Sequence, residues 1–151
     1  MSIDKDIHQR KFRNDYQRLM INMIYTYNWL MENTRNFMDQ YDLTPQQFNI
    51  LRILRGAGEP LSTLQIRQRM LDKMSDTSRI VDRLVKKELV RKVTCPTDRR
   101  LVDCTITEKG QELLARMDAH EDEFDAILNQ LSPEEAKQLS GLLDKMRQSV
   151  D

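Results

Sequence analysis

The chain has 151 residues, enough for one domain with dimerisation arms and enough to bury roughly two-thirds of its unfolded surface. Apolar residues make up 39% and charged residues 32%, with 24 Lys/Arg against 24 Asp/Glu, a balance that suits long helices with solvated outer faces. No apolar run exceeds three residues, no apolar stretch follows Met1, and the two Cys form no CxxC or Cys/His cluster, so a membrane-spanning helix, a secretory signal, a disulfide framework and a zinc finger are excluded and a cytoplasmic protein without metal or cofactor is expected.

From Ile7 to Tyr41, the residues Phe12, Tyr16, Leu19, Met23, Tyr27, Leu30, Thr34, Phe37 and Tyr41 recur at steps of three and four. Met20, Ile24 and Met31 widen this stripe, and the spacing predicts one long helix. A small domain cannot cover such a stripe by itself, so a second chain is expected to cover part of it; the alternative is an intramolecular bundle. Thr44-Pro45-Gln46-Gln47 carries a capping box with Pro at the first helical position, followed by Phe48, Leu51 and Leu54. Gly56 to Pro60 ends that helix. Ser62 and Gln65 form a second box, opening a short helix to about Met70 with Leu64, Ile66 and Met70 as expected core.

A third helix is predicted from about Ser75, with Thr77, Ile80, Val81, Leu84 and Val85 buried. Asp76, Arg79, Asp82, Arg83 and Lys86 then fall on its outer face. The period next changes to two: Val102, Cys104 and Ile106 alternate with polar residues, Leu89 to Cys95 is β-branched enough to pair with them, and Pro96 to Arg100 makes a turn-rich tip. Thr107 caps a helix made amphipathic by Leu113, Leu114, Met117, Phe124, Ile127 and Leu128. Ser132-Pro133-Glu134-Glu135 opens the last helix, with Ala136, Leu139, Leu142, Leu143 and Met146 on its apolar face.

The order helix, short helix, helix, hairpin is that of a winged helix-turn-helix. The fold expected is mainly α with a small β-hairpin wing, flanked by N- and C-terminal dimerisation helices. In this arrangement the helix before the hairpin enters the major groove, and its first residues reach base edges. Here those are Ser75, Asp76, Ser78 and Arg79. Arg79 could donate twice to guanine, and Asp76 could accept from cytosine N4. Arg83 and Lys86, further along, are expected at phosphate. Arg99 and Arg100 form a cationic finger suited to the minor groove, with Asp98 orienting an arginine of the tip. The alternative for the pair is a solvated turn. Charge follows the same division. Residues 61–110 carry 12 Lys/Arg against 7 Asp/Glu, and residues 111–151 carry 4 against 10.

On these residues the chain resembles the MarR family of bacterial transcription regulators. The matching stretches are Leu43 to Leu51, Ile80 to Lys87, Asp98-Arg99-Arg100, and Leu101 through Thr107-Glu108-Lys109-Gly110, in the family's order. The resemblance covers nearly the whole chain, 1–151, as a single domain. It implies dimerisation helices in 1–42 and 108–151, a DNA-binding lobe in 43–107, and a homodimer on a pseudo-palindromic double-stranded operator. Two positions depart from the family: Ile106 stands where Leu is usual, and Glu88 where Gly usually ends the recognition helix. Glu88 must therefore either accept left-handed strain or end the helix differently.

Many members of the family release DNA on binding a small apolar or phenolic effector. Tyr16, Tyr27, Trp29, Tyr41 and Phe48 are candidates for such a cleft, against the simpler reading as core and dimer packing. A peroxide-sensing cysteine in the first helix is absent, since none precedes Cys95. Cys95 and Cys104 would pair only if in register across the hairpin, and buried thiols are preferred. His8 and His120 are isolated, and no P-loop, Rossmann glycine motif, HExxH or nucleophile elbow occurs, so an enzyme is not expected. The competing class is a winged-helix protein-interaction module without DNA binding.

Overall fold

The computed structural model describes residues 1–94, 97–98, 100 and 102–148. It divides into two units, Met1–Asp118 and Ala119–Asp151.

In the first unit a short helix α1 (Ile3–Asp6) precedes the long helix α2 (Asp15–Asp39). The long helix starts later than Ile7 because Asn14 is an extended N-cap whose side chain accepts from the Gln17 amide, while His8 turns the chain left-handed at φ 55. Phe12 thus lies before the helix, with the Arg18 guanidinium 5.9 Å from its ring centre. Helices α3 (Pro45–Ala57), α4 (Thr63–Arg69) and α5 (Thr77–Lys86) follow. Both expected capping boxes are formed, at Thr44/Gln47 and Ser62/Gln65.

Strands β2 (Val90–Thr94) and β3 (Val102–Ile106) pair antiparallel, as the alternation predicts. A further strand, β1 (Leu61–Ser62), adds to β3, giving a three-stranded sheet of order β1-β3-β2 rather than a two-stranded hairpin. Two residues are too few to show a period, so β1 has no sequence signal. Cys104 is buried between Leu61 on one side and Lys92 on the other. Burial pushes its thiol above the ordinary cysteine range, which favours the protonated form. Cys95 lies outside the described residues.

The core joins Ile50, Leu51 and Leu54 of α3, Ile66 of α4, Val81 and Leu84 of α5, and Leu61, Val90 and Cys104 of the sheet. Leu64 is a correction: it is 64% exposed. It stands two residues from Ile66, about 200° around the helix, so the two cannot share one face. Helix α6 (Glu108–Asp118) starts at Thr107, whose Oγ1 accepts the Gly110 amide at 3.1 Å and donates to the Glu88 carbonyl at 2.7 Å.

A single helix through Leu128 is expected from the sequence, but α6 stops at Asp118. Continuing it would stack Asp118, Glu121, Asp122 and Asp125 at i, i+3 and i+4, where like charges oppose the helix. Asp118 instead receives two hydrogen bonds from Arg55 of α3, at 2.6 and 3.3 Å. The second unit holds α7 (Glu121–Asp125), a 3-10 turn (Ala126–Leu128) and α8 (Pro133–Met146), the last opened by the expected Ser132/Glu135 box. The apolar face of α8 is open, with Leu139, Leu142 and Met146 all exposed.

Helix α5 ends in a Schellman turn. The Leu89 amide bonds the Leu84 carbonyl at 3.0 Å and the Glu88 amide bonds that of Val85 at 2.9 Å, with Glu88 at φ 61. Glu88 therefore takes the left-handed conformation that glycine favours. A left-handed L-residue costs about 1–2 kcal/mol, and glycine loses about 0.5–1 kcal/mol in backbone entropy. Glu88→Gly is accordingly expected to stabilise the protein by about 0.5–1 kcal/mol in urea unfolding. A destabilised variant would mean that the Glu88–Lys109 contact, 3.5 Å and exposed, outweighs the strain.

Candidate nucleic-acid interface

Helix α5 presents a mixed surface of defined sidedness. Thr77, Val81 and Leu84 are buried, whereas Ser78, Arg79, Asp82, Arg83 and Lys86 are exposed. Asp76 is the N-cap. Its carboxylate accepts the Arg79 amide at 3.2 Å, and its second oxygen lies 3.7 Å from Arg79 Nε. Asp76 thus steadies both the helix start and the arginine, and a base contact would compete with both roles. Ser75 is half-buried, its Oγ enclosed and without a hydrogen-bond partner, so it does not share the open face. Of the six candidates at and before α5, all but Ser75 are exposed; Asp76 is taken up by the cap, which leaves Ser78, Arg79, Arg83 and Lys86 as the open surface of the helix.

The turn before α5 is fixed by two side chains. Asn49 Oδ1 accepts the Leu71 amide at 3.0 Å, and Asp72 Oδ1 accepts the Met74 amide at 2.9 Å. The wing is tied to α5 by Lys92 of β2, which donates to Asp82. That pair neutralises the one carboxylate on the middle of the exposed face, leaving Arg79, Arg83 and Lys86 as its charge. At the tip, Asp98 Oδ1 accepts both the Arg100 amide at 3.0 Å and Arg100 Nε at 3.2 Å. The Arg100 side chain is 92% exposed, so the carboxylate aims the guanidinium outward. Arg99 lies outside the described residues.

The expected effector residues do not converge within one chain. Tyr41 is half-buried against Phe37, with ring centres 5.6 Å apart. Phe48 is half-buried with the Arg52 guanidinium 5.7 Å from its ring centre. Tyr16, Tyr27 and Trp29 are exposed on α2. Tyr27 and Trp29 are two residues apart and so point to nearly opposite sides of the helix. A cleft near the N-terminus is lined by Asp4, Lys5, His8 and Arg10 and includes none of the five. Along α2, Tyr16 is 81% exposed and Leu19, Met20 and Ile24 are also open, whereas Thr34 and Met38 near the other end are buried.

Two contributors carry little or no sequence signal: β1 and the Lys92–Asp82 link. Only the alternation of β2 hinted at the second, by placing Lys92 on the opposite side of the strand from Arg91 and Val93.

The sequence pattern of the MarR family matches residues 41–101. The HTH-type transcriptional regulator MhqR of Bacillus subtilis is 30% identical over 131 residues, covering 85% of this chain and 89% of that protein. Among solved structures, a cysteine variant of MarR from E. coli complexed with operator DNA superposes with a TM-score of 0.79 at 20% identity, over 92% of this chain and all of that one. BpsR of Bordetella bronchiseptica, whose DNA binding is regulated by 6-hydroxynicotinic acid, superposes with a TM-score of 0.76 at 23% identity, over 86% of this chain and 98% of that one.

Proposed function

Because the chain belongs to the MarR family, we propose that this DNA-binding transcription regulator works as a homodimer, laying two copies of α5 and two wings on one pseudo-palindromic duplex. It is a transcription factor rather than an enzyme. Residues 43–107 form the DNA-binding lobe, and 1–42 with 108–151 supply the dimerisation helices. The action is repression in the cytoplasm, relieved by a small apolar or phenolic effector. MarR's complex with operator DNA and BpsR's response to 6-hydroxynicotinic acid support the DNA and effector parts. Since Tyr16, Tyr27 and Trp29 do not meet Tyr41 and Phe48 in one protomer, an effector pocket built from them needs the second protomer.

The observation that carries the DNA reading is the exposed cationic face of Arg79, Arg83 and Lys86 beside a wing tip whose Arg100 is aimed outward by Asp98. Arg79 reads base, Arg83 and Lys86 grip phosphate, and Arg99 with Arg100 enters the minor groove. The open faces of α2 and α8 support the dimer. A salt titration of duplex binding tests the reading. Each phosphate contact adds about 0.9 to the negative slope of log affinity against log salt, so several contacts give a steep slope. A flat response would favour a protein-interaction module. Arg79→Ala is expected to cost about 1–3 kcal/mol on the specific site and to flatten preference at one base position. Uniform loss across all sequences would move Arg79 to phosphate.

A further inference from the structure

Lys87 closes the last turn of α5, yet its ammonium is directed away from the role its neighbours suggest. Lys86 is exposed; Lys87 is half-buried, and its Nζ donates to the main-chain oxygen of Asp42 and to Gln47 Oε1 at 3.2 Å, with the Asp42 carboxylate 3.4 Å away. Asp42 is the left-handed residue, at φ 53, that ends α2. Gln47 is buried, and the same Oε1 accepts the Thr44 amide at 3.2 Å in the box that starts α3. The Lys87 carbonyl in turn accepts Lys109 Nζ of α6 at 3.0 Å. One lysine therefore joins the end of the arm helix, the start of the first DNA-lobe helix, the end of the recognition helix and the start of α6.

Two non-glycine residues in the left-handed region, Asp42 and Glu88, flank this junction. Such positions persist where surrounding contacts over-determine them. Here the determining contacts converge on the Lys87 turn. The arm is long, 25 residues, which at 1.5 Å per residue is about 37 Å. A rotation of about 10° at its root moves the far end by about 6 Å, more than the roughly 3.4 Å rise of one base pair. A small change of angle at Asp42 is thus magnified along the arm, where a second protomer would have to meet it.

We propose that Lys87 is a positioning residue that fixes the angle between α2 and α5, and through it the half-site spacing that the dimer accepts. It acts without touching DNA. The inference rests on the reading of the chain as a dimeric DNA-binding regulator, and two readouts separate the two. In the first, wild type and Lys87→Met are bound to the preferred duplex and to versions with one central base pair inserted or removed. The variant is expected to lose about tenfold of its discrimination between spacings, with an unchanged salt slope. Equal loss on every spacing would overturn the proposal, and a slope lower by about one would make Lys87 a phosphate contact.

The second readout needs no DNA. Nitroxides on Glu32→Cys of the arm and Ser78→Cys of α5, with Cys95→Ser, report the arm-to-helix distance when labelled chains are diluted in unlabelled protein. Lys87→Met is expected to broaden a narrow distribution by several Å; superposable distributions would overturn the positioning role. If wild type binds no duplex while the variant still broadens the distance, the DNA reading fails and the positioning role stands.

Discussion

Changing Arg99 and Arg100 together to alanine is expected to weaken operator binding by about 2–5 kcal/mol, from roughly 30-fold to several thousand-fold, while the dimer stays intact. The size follows from the loss of two guanidinium groups, each worth about 1–3 kcal/mol in a groove, with some coupling because the two are adjacent. Stability should change little. The Arg100–Asp98 pair is mostly solvated on the arginine side, and exposed pairs contribute about 0–1 kcal/mol. Lysine should not restore the loss, because the planar fork and its weaker hydration suit arginine to a narrow groove. Operator affinity measured by anisotropy, beside dimer mass by light scattering, checks both halves. Unchanged affinity would remove the wing from the interface.

The second large effect concerns Gly110 in the first turn of α6. A Cβ added there would stand 2.5 Å from the Leu89 carbonyl oxygen and 2.8 Å from Ile106 Cγ1. The first contact is with backbone, which a rotamer change cannot relieve. Leu89 is held from both sides: its amide bonds Leu84, and its carbonyl accepts the Thr107 amide at 3.0 Å. Alanine normally favours a helix over glycine by about 1 kcal/mol. Overpacking typically costs about 1–3 kcal/mol, and a clash with a fixed carbonyl belongs at the upper end. Gly110→Ala is therefore expected to destabilise by about 1–2 kcal/mol net, read from the urea midpoint. The same variant should loosen the wing, because Leu89 leads directly into β2. A gain in stability would show that α6 can shift away from the sheet without loss.

Much of the fold is legible in the chain where local chemistry and packing agree. Thr44, Ser62 and Ser132 each precede a Gln or Glu by three residues, and all three boxes form. The buried and exposed sides of α5 follow from helical spacing alone. Glu88 stands out in advance through the family resemblance, because glycine usually follows this helix; that α5 keeps the left-handed Schellman end in spite of the side chain is seen only in the fold.

The remainder depends on contacts between distant residues. Leu64 reads as core because it is apolar, but a seven-residue helix cannot bury both it and Ile66. The break after Asp118 is set by an acidic cluster and by Arg55, 63 residues away. The Lys87 junction has no sequence pattern at all. It exists because the ends of α2 and α5 are brought together in space. For the candidate site, periodicity supplies the exposed face of α5, but it cannot tell that Asp76 caps the helix or that Ser75 turns inward.

Selection of bound duplexes from a random pool by the purified protein, followed by alignment of the recovered sequences, reads out the dimeric DNA-binding arrangement. A dimer that lays two copies of α5 in successive major grooves gives a two-fold symmetric consensus with half-sites about one helical turn apart. Recovery of no enriched sequence, or of a single unrepeated half-site, would contradict it.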